Sequence, residues 1–241
     1  MTKNNEELIE LFDKLNTISS IGINSLVVSP TEDNQTRFKG TDDKRSIVIF
    51  YDYDKPLVDK TVAIPSLKML LSRMNLFDDL SAVNYSLEAT KDNADVAKKL
   101  NISSSEASSS CTFSDEKAIS APSNKPKLEE LNHFYFDKDS FNHFMNAVRS
   151  IRLSKSYDEK VLFKNDGESI KYHLNDGIAD YFTKTLAKGD ENKFNVTWRT
   201  DSVEKIIKKE LDYNDDVKVT VTDKEVGLID VNNLMFMIAP E

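Results

Sequence analysis

The chain has 241 residues, enough for one large domain or two of ordinary size. Its 41 acidic residues outnumber its 32 basic ones, and a net charge of −9 excludes a protein that coats nucleic acid through bulk positive charge. No run of about 18 apolar residues occurs, so no membrane span is expected, and the polar start MTKNNEELIELF lacks a signal-peptide core, so a cytoplasmic place is expected.

In chain order, EELIELFDKLNTI sets Leu8, Leu11, Phe12 and Leu15 at helical spacing and predicts an amphipathic helix. The alternating, β-rich runs INSLVVS, TRFKG and SIVIFYDY predict strands. IPSLKMLLSRMN then places Leu67, Leu70, Leu71 and Met74 on one face of a helix over 65–75 whose only charges, Lys68 and Arg73, are positive. VNYSLEAT reads as a strand. Residues 101–127 are Ser-rich, hold Pro122 and Pro126, and carry few large apolar side chains, which predicts loop or linker. A connector over 117–130 divides the chain into domains 1–116 and 131–241.

The second half opens with HFYFD as a strand and DSFNHFMNAVRSIRL as a helix, with Asp139 as its N-cap. EKVLFKND, SIKYHLND, ADYFTKTLA and KFNVTW predict strands. TDSVEKIIKKEL predicts a helix capped by Thr200 or Asp201, and DVKVTVTD, VGLIDV and LMFMIAP close the chain as strands. The halves share a plan. Phe12 and Pro65, on the first half's helices, are 53 residues apart, and Phe144 and Arg199, on the second half's, are 55 apart. The repeat is one of pattern, with little residue identity.

Charge is unevenly spread. Segments 64–77, 139–155 and 199–211 hold nine bases (Lys68, Arg73, Arg149, Arg152, Lys155, Arg199, Lys205, Lys208, Lys209) against four acids, a surplus of five in 44 residues that leaves −14 on the remaining 197. Ordinary solvated helix faces account for such counts. So does a basic surface inside an acidic shell, which would neutralise phosphates without reading base sequence. The first helix is different: Glu6, Glu7, Glu10 and Asp13 outweigh Lys3 and Lys14.

Two copies of helix–strands–helix–strands, basic helices and a linker between resemble the DNA sliding clamps, most nearly the T-even-type phage clamps and the proliferating-cell antigen they resemble in plan. FDKLNTISSIGI, VAIPSLKMLLSRMNLFDD, the linker SAPSNKP and the ending LMFMIAP carry the likeness, which spans roughly 5–240. The resemblance implies an α+β chain of two tandem clamp folds, with helices on one face and antiparallel sheets on the other. It implies a homotrimeric ring around double-stranded DNA that tethers the replicative polymerase and has no catalytic chemistry, no cofactor and no metal, in the host cytoplasm if phage-encoded. Edge strands would pair across subunits and close the ring. Lys68, Arg73, Arg149, Arg152, Lys205, Lys208, Lys209 and, more weakly, Lys14 would face DNA as point charges. The polymerase and the clamp loader would insert short hydrophobic peptides into a pocket matched here by VVSP, KLEEL and MIAP: Val28, Pro30, Leu128, Ile238, Ala239 and Pro240.

Two other classes fit the sequence. A monomeric polymerase or transcription accessory protein of the same fold would keep the basic helices without a ring. A metal-dependent enzyme would need ligands. The chain offers His133, His143 and His173, six glycines, no HExxH, no CxxC pair and no Gly-rich phosphate loop, and DYD (52–54) and DYNDD (212–216) read as turns and acidic surface. The single Cys111 allows no internal disulfide and reads as a small buried or loop residue.

Overall fold

The computed structural model describes residues 5–153, 159–175 and 181–241. They divide into two compact units: Met1–Lys44 with Val48–Lys125, and Pro126–Glu241 with the short piece Arg45–Ile47.

The first unit begins with α1 (Asn5–Ile21), whose Leu8, Leu15, Ile18 and Ile21 are buried. Strands β1 (Leu26–Pro30), β2 (Thr36–Thr41), β3 (Ile47–Tyr53) and β4 (Val62–Ile64) follow. β1 lies between β4 and β2, β2 pairs with β3, and all of these pairs are antiparallel. Helix α2 (Leu67–Met74) buries Leu67, Leu70, Leu71 and Met74, and Ser66 caps it by accepting from the Met69 N–H at 3.3 Å. A second antiparallel sheet runs β5 (Asn84–Ala89), β6 (Ala97–Ser103), β7 (Ser108–Thr112), in that order. Backbone bonds from Ala97 N to Thr61 O (2.8 Å) and from Ser114 N to Ala63 O (2.8 Å) tie this sheet's strands to the β4 segment.

The hairpin of β6 and β7 corrects the reading of 101–127 as loop from its start. Leu100, Ile102 and Cys111 are buried on one face, with Leu100 opposite Cys111, while the serines fill the other positions. A half-buried edge hairpin needs only one apolar side chain in two, so its low apolar content hid a period-two pattern. Ser104 shapes the turn by accepting from the backbone N–H groups of Glu106 and Ala107. Within the expected connector, Ile119 is buried against Val27 and Ala63. β4, three residues long, lies in what reads from sequence as the lead-in to α2.

The second unit repeats the plan: β8 (Glu130–Asp137), α3 (Lys138–Ile151), β9 (Lys160–Asn165), β10 (Ser169–Asn175), β11 (Tyr181–Lys188), β12 (Phe194–Arg199), α4 (Thr200–Glu210), β13 (Asp216–Thr222), β14 (Gly227–Val231) and β15 (Leu234–Ile238). One antiparallel sheet has the order β15-β14-β13-β8, the other β11-β10-β9-β12. The core between them is aromatic. Phe134 stacks on Phe163 at 5.1 Å between centroids, and Phe163 meets Trp198 at 5.2 Å. Trp198 donates its indole N–H to Glu225 O at 2.9 Å. Residues 179–180 of the expected strand ADYFTKTLA lie outside the described residues.

Both cap expectations in this unit are corrected. Asp137, not Asp139, caps α3, accepting from Ser140 N at 2.6 Å, because β8 runs directly into the helix. Arg199 occupies the N-cap of α4 without a side-chain cap bond, and Thr200 is buried inside the helix. Among the described residues no helix is long and apolar enough to cross a membrane.

Candidate nucleic-acid interface

On α2, four buried apolar positions leave Lys68 in solvent. Arg73 lies on the same helix but is half-buried, and its guanidinium donates to the Ser110 carbonyl on β7, with the Cys111 Sγ 3.9 Å away. Its charge is therefore held by the sheet. On α3, burial of Phe141, Phe144, Met145, Val148 and Ile151 turns Asn142, Asn146 and Arg149 outward along one stripe. Arg149 stands 3.3 Å from Asn146 Oδ1. Arg152, just past the helix, reaches Glu204 of α4 at 3.0 Å. On α4, Val203, Ile206 and Ile207 point inward. Lys205 lies 3.9 Å from Asp201, and Lys209 sits 4.9 Å over the Tyr213 ring and 3.5 Å from Asp212. Lys208 is exposed. Of the seven expected cations, Lys68, Arg149 and Lys208 are exposed and form no ion pair among the described residues, Lys205 is exposed beside Asp201, and Arg73, Arg152 and Lys209 are engaged by Ser110, Glu204 and Asp212. Lys155 lies outside the described residues.

Lys14 is corrected. It is 4% exposed, with its ammonium 5.0 Å over the Tyr53 ring. It shares the buried stripe with Ile18 and Ile21, four and seven residues on, so it offers no charge to solvent. The outward stripe of α1 is Glu6, Ile9, Asp13, Asn16 and Ser20, acidic where α3 is basic. Burial raises the Glu10 pKa, but hydrogen bonds from Lys55 and Tyr53 outweigh it and hold the carboxylate below its ordinary value.

Among the expected peptide-pocket residues, Pro30 and Pro240 are exposed, and Leu128 and Ala239 half-buried. Val28 and Ile238 are buried, at 1% and 0% exposure. Neither side chain is open to solvent, although the resemblance implies that both line a peptide pocket. Sequence reasoning missed Asn142 and Asn146. Neutral amides leave no mark in a charge count, although their N–H groups suit phosphate oxygens. The signal that could have found them is the complement of the α3 apolar stripe. Among the described residues no group of three or more His, Cys, Asp or Glu could hold a metal ion.

No family model matches the sequence, and no curated protein matches it. Solved structures do. The PCNA of A. fulgidus with the C-terminal region of FEN-1 bound is similar at a TM-score of 0.63 and 12% identity, over 95% of this chain and 96% of that one. The chain has the DNA-clamp fold. PCNA from Thermococcus kodakaraensis is similar at a TM-score of 0.58 and 14% identity, over 96% of both chains. The DNA polymerase III subunit beta from Borrelia burgdorferi, in complex with a natural product, is similar at 0.65 and 12%. All of this chain is covered there but only 62% of that longer one. In clamp-fold terms, the two units described above are two copies of one module, each with two helices and two antiparallel sheets.

Proposed function

We propose that the chain is a DNA polymerase sliding clamp, a homotrimeric ring that encircles duplex DNA and tethers the polymerase. The observation that carries this reading is the clamp fold over nearly the whole length of both this chain and the A. fulgidus PCNA chain. Three copies with four helices each would bring twelve helices to a central hole, and Lys68, Arg149, Lys205 and Lys208 would meet phosphates there without selecting sequence. Asn142 and Asn146 would add neutral donors. The T-even-type resemblance supports a phage origin within this reading. The outermost strands β7 and β11 are candidates for closing the ring, and β11 carries the exposed Tyr181 (76%) and Phe182 (37%), apolar surface suited to burial against another copy. Pro30, Leu128, Ala239 and Pro240 remain the proposed contacts for partner peptides.

The acidic outward stripe of α1 favours a second reading, a monomeric accessory protein that meets DNA with α3 and α4 alone. Light scattering on a sizing column over a range of concentrations separates the two. A mass near three times 27.4 kDa supports the ring, and a monomer at every concentration overturns it.

A further inference from the structure

The first unit encloses a cavity of about 460 Å³ beneath β5, within the size range of small-molecule sites. Leu8 and Leu15 of α1, Leu70 of α2, Leu87 of β5, Leu100 of β6 and Phe113 line it. The exposed Asp59 and Ser86 and the half-buried Lys60 mark its mouth. Lys60 is anchored there, donating to Ala94 O at 2.6 Å.

Two features set this space apart from a packing gap. The inward residues of β5 (Tyr85, Leu87, Ala89) are only half-buried, whereas Leu100 and Ile102 across the ladder on β6 are fully buried. The floor under β5 is thus left open. Among the described residues the buried Tyr85 hydroxyl has no hydrogen-bond partner, a condition it shares with the Tyr172 hydroxyl of the other unit. A buried donor without an acceptor is costly, and native structures rarely keep one without a reason.

We propose that this cavity binds an uncharged, mainly apolar small molecule bearing one acceptor oxygen, a ketone, ester or ether, which takes the Tyr85 hydroxyl as its donor. The leucine-rich walls fit the apolar body. Burial, and after it the nearby charges of Glu7 and Asp59, push the Tyr85 pKa up to about 12, so the group stays a neutral donor across the working pH range. The same two carboxylates disfavour an anionic head at that point. The inference stands independently of the DNA reading, because it concerns the interior of one unit.

The test is titration of the full chain with 2-nonanone, followed by the methyl resonances of its leucines and by isothermal titration, with nonanoate as the anionic comparison. Saturable binding that shifts Leu8, Leu15, Leu87 and Leu100 is expected, with nonanoate weaker. Tyr85→Phe keeps the ring and removes only the donor, and should weaken 2-nonanone binding roughly five-fold. Leu87→Trp, which fills the cavity from an edge strand, should abolish binding while the fold persists. The proposal is overturned by any of three results: no saturation up to the solubility limit, shifts confined to other leucines, or equal affinity in the Tyr85→Phe chain.

Discussion

If the exposed helix cations meet phosphate, removing them changes how DNA binding responds to salt, and the structure says which ones count. Lys68, Arg149 and Lys208 are exposed, and none of the three forms an ion pair among the described residues, whereas Arg152 is bound to Glu204 at 3.0 Å and Lys209 lies 3.5 Å from Asp212. Each phosphate contact contributes about −0.9 to the slope of log affinity against log salt. The triple variant Lys68→Ala, Arg149→Ala, Lys208→Ala should therefore flatten that slope by about 2.7 for each chain whose three cations touch the duplex. Between 50 and 200 mM salt that is a difference of about 40-fold in how far affinity falls. The assay is fluorescence anisotropy of a labelled 30-base-pair duplex across that range. The control is the double variant Arg152→Ala, Lys209→Ala, which removes cations already engaged and should change the slope by less per residue. An unchanged slope in the triple variant, or an equal loss per residue in the control, would refute the assignment of these helix faces to DNA.

Other expectations concern the scaffold. A Cβ on Gly227 would stand 2.8 Å from the Trp198 ring, so Gly227→Ala should cost about 1–3 kcal/mol in urea unfolding, with the indole fluorescence changed in the folded state. Asp137→Ala removes the α3 cap and should cost about 1 kcal/mol, while Asp139→Ala, read from sequence as the cap, should cost less. Glu10 has a folded pKa below its ordinary 4.5, so the stability it adds is present above that value and is lost as pH falls through the lowered one. Glu10→Gln should remove that part of the acid-side loss, seen as a flatter stability curve below pH 4.5 than in the parent chain.

The helices and most strands were legible because their apolar residues keep strict periods. Phe141, Phe144, Met145, Val148 and Ile151 could only be one helix face, and Val217, Val219 and Val221 only one strand face. The same logic places Lys68 in solvent, since the four apolar positions of α2 leave it nowhere else. Composition misled where period should have ruled. The serines of β6 and β7 looked like linker, although Leu100, Ile102 and Cys111 were enough to bury one face. The resemblance misled at Lys14, because a cation on a buried stripe meets an aromatic ring rather than solvent, and charge counting misled at Arg73, whose guanidinium finds a carbonyl brought near by a strand 37 residues on. Those partners are distant in sequence, and no local pattern announces them. Nor does periodicity announce a cavity. Leu87 reads as an ordinary strand apolar, and only the packed unit leaves space beneath it and its neighbour Leu100.

The central claim is encirclement, and threading tests it most directly. The chain is incubated with linear duplex bearing one blocked end, the free end is then blocked, and salt is raised until phosphate contacts are screened. A closed ring stays on the doubly blocked duplex and leaves when a restriction cut opens it. Loss of the chain on raising salt, whether or not both ends are blocked, would contradict encirclement and leave a protein that meets DNA on one face alone.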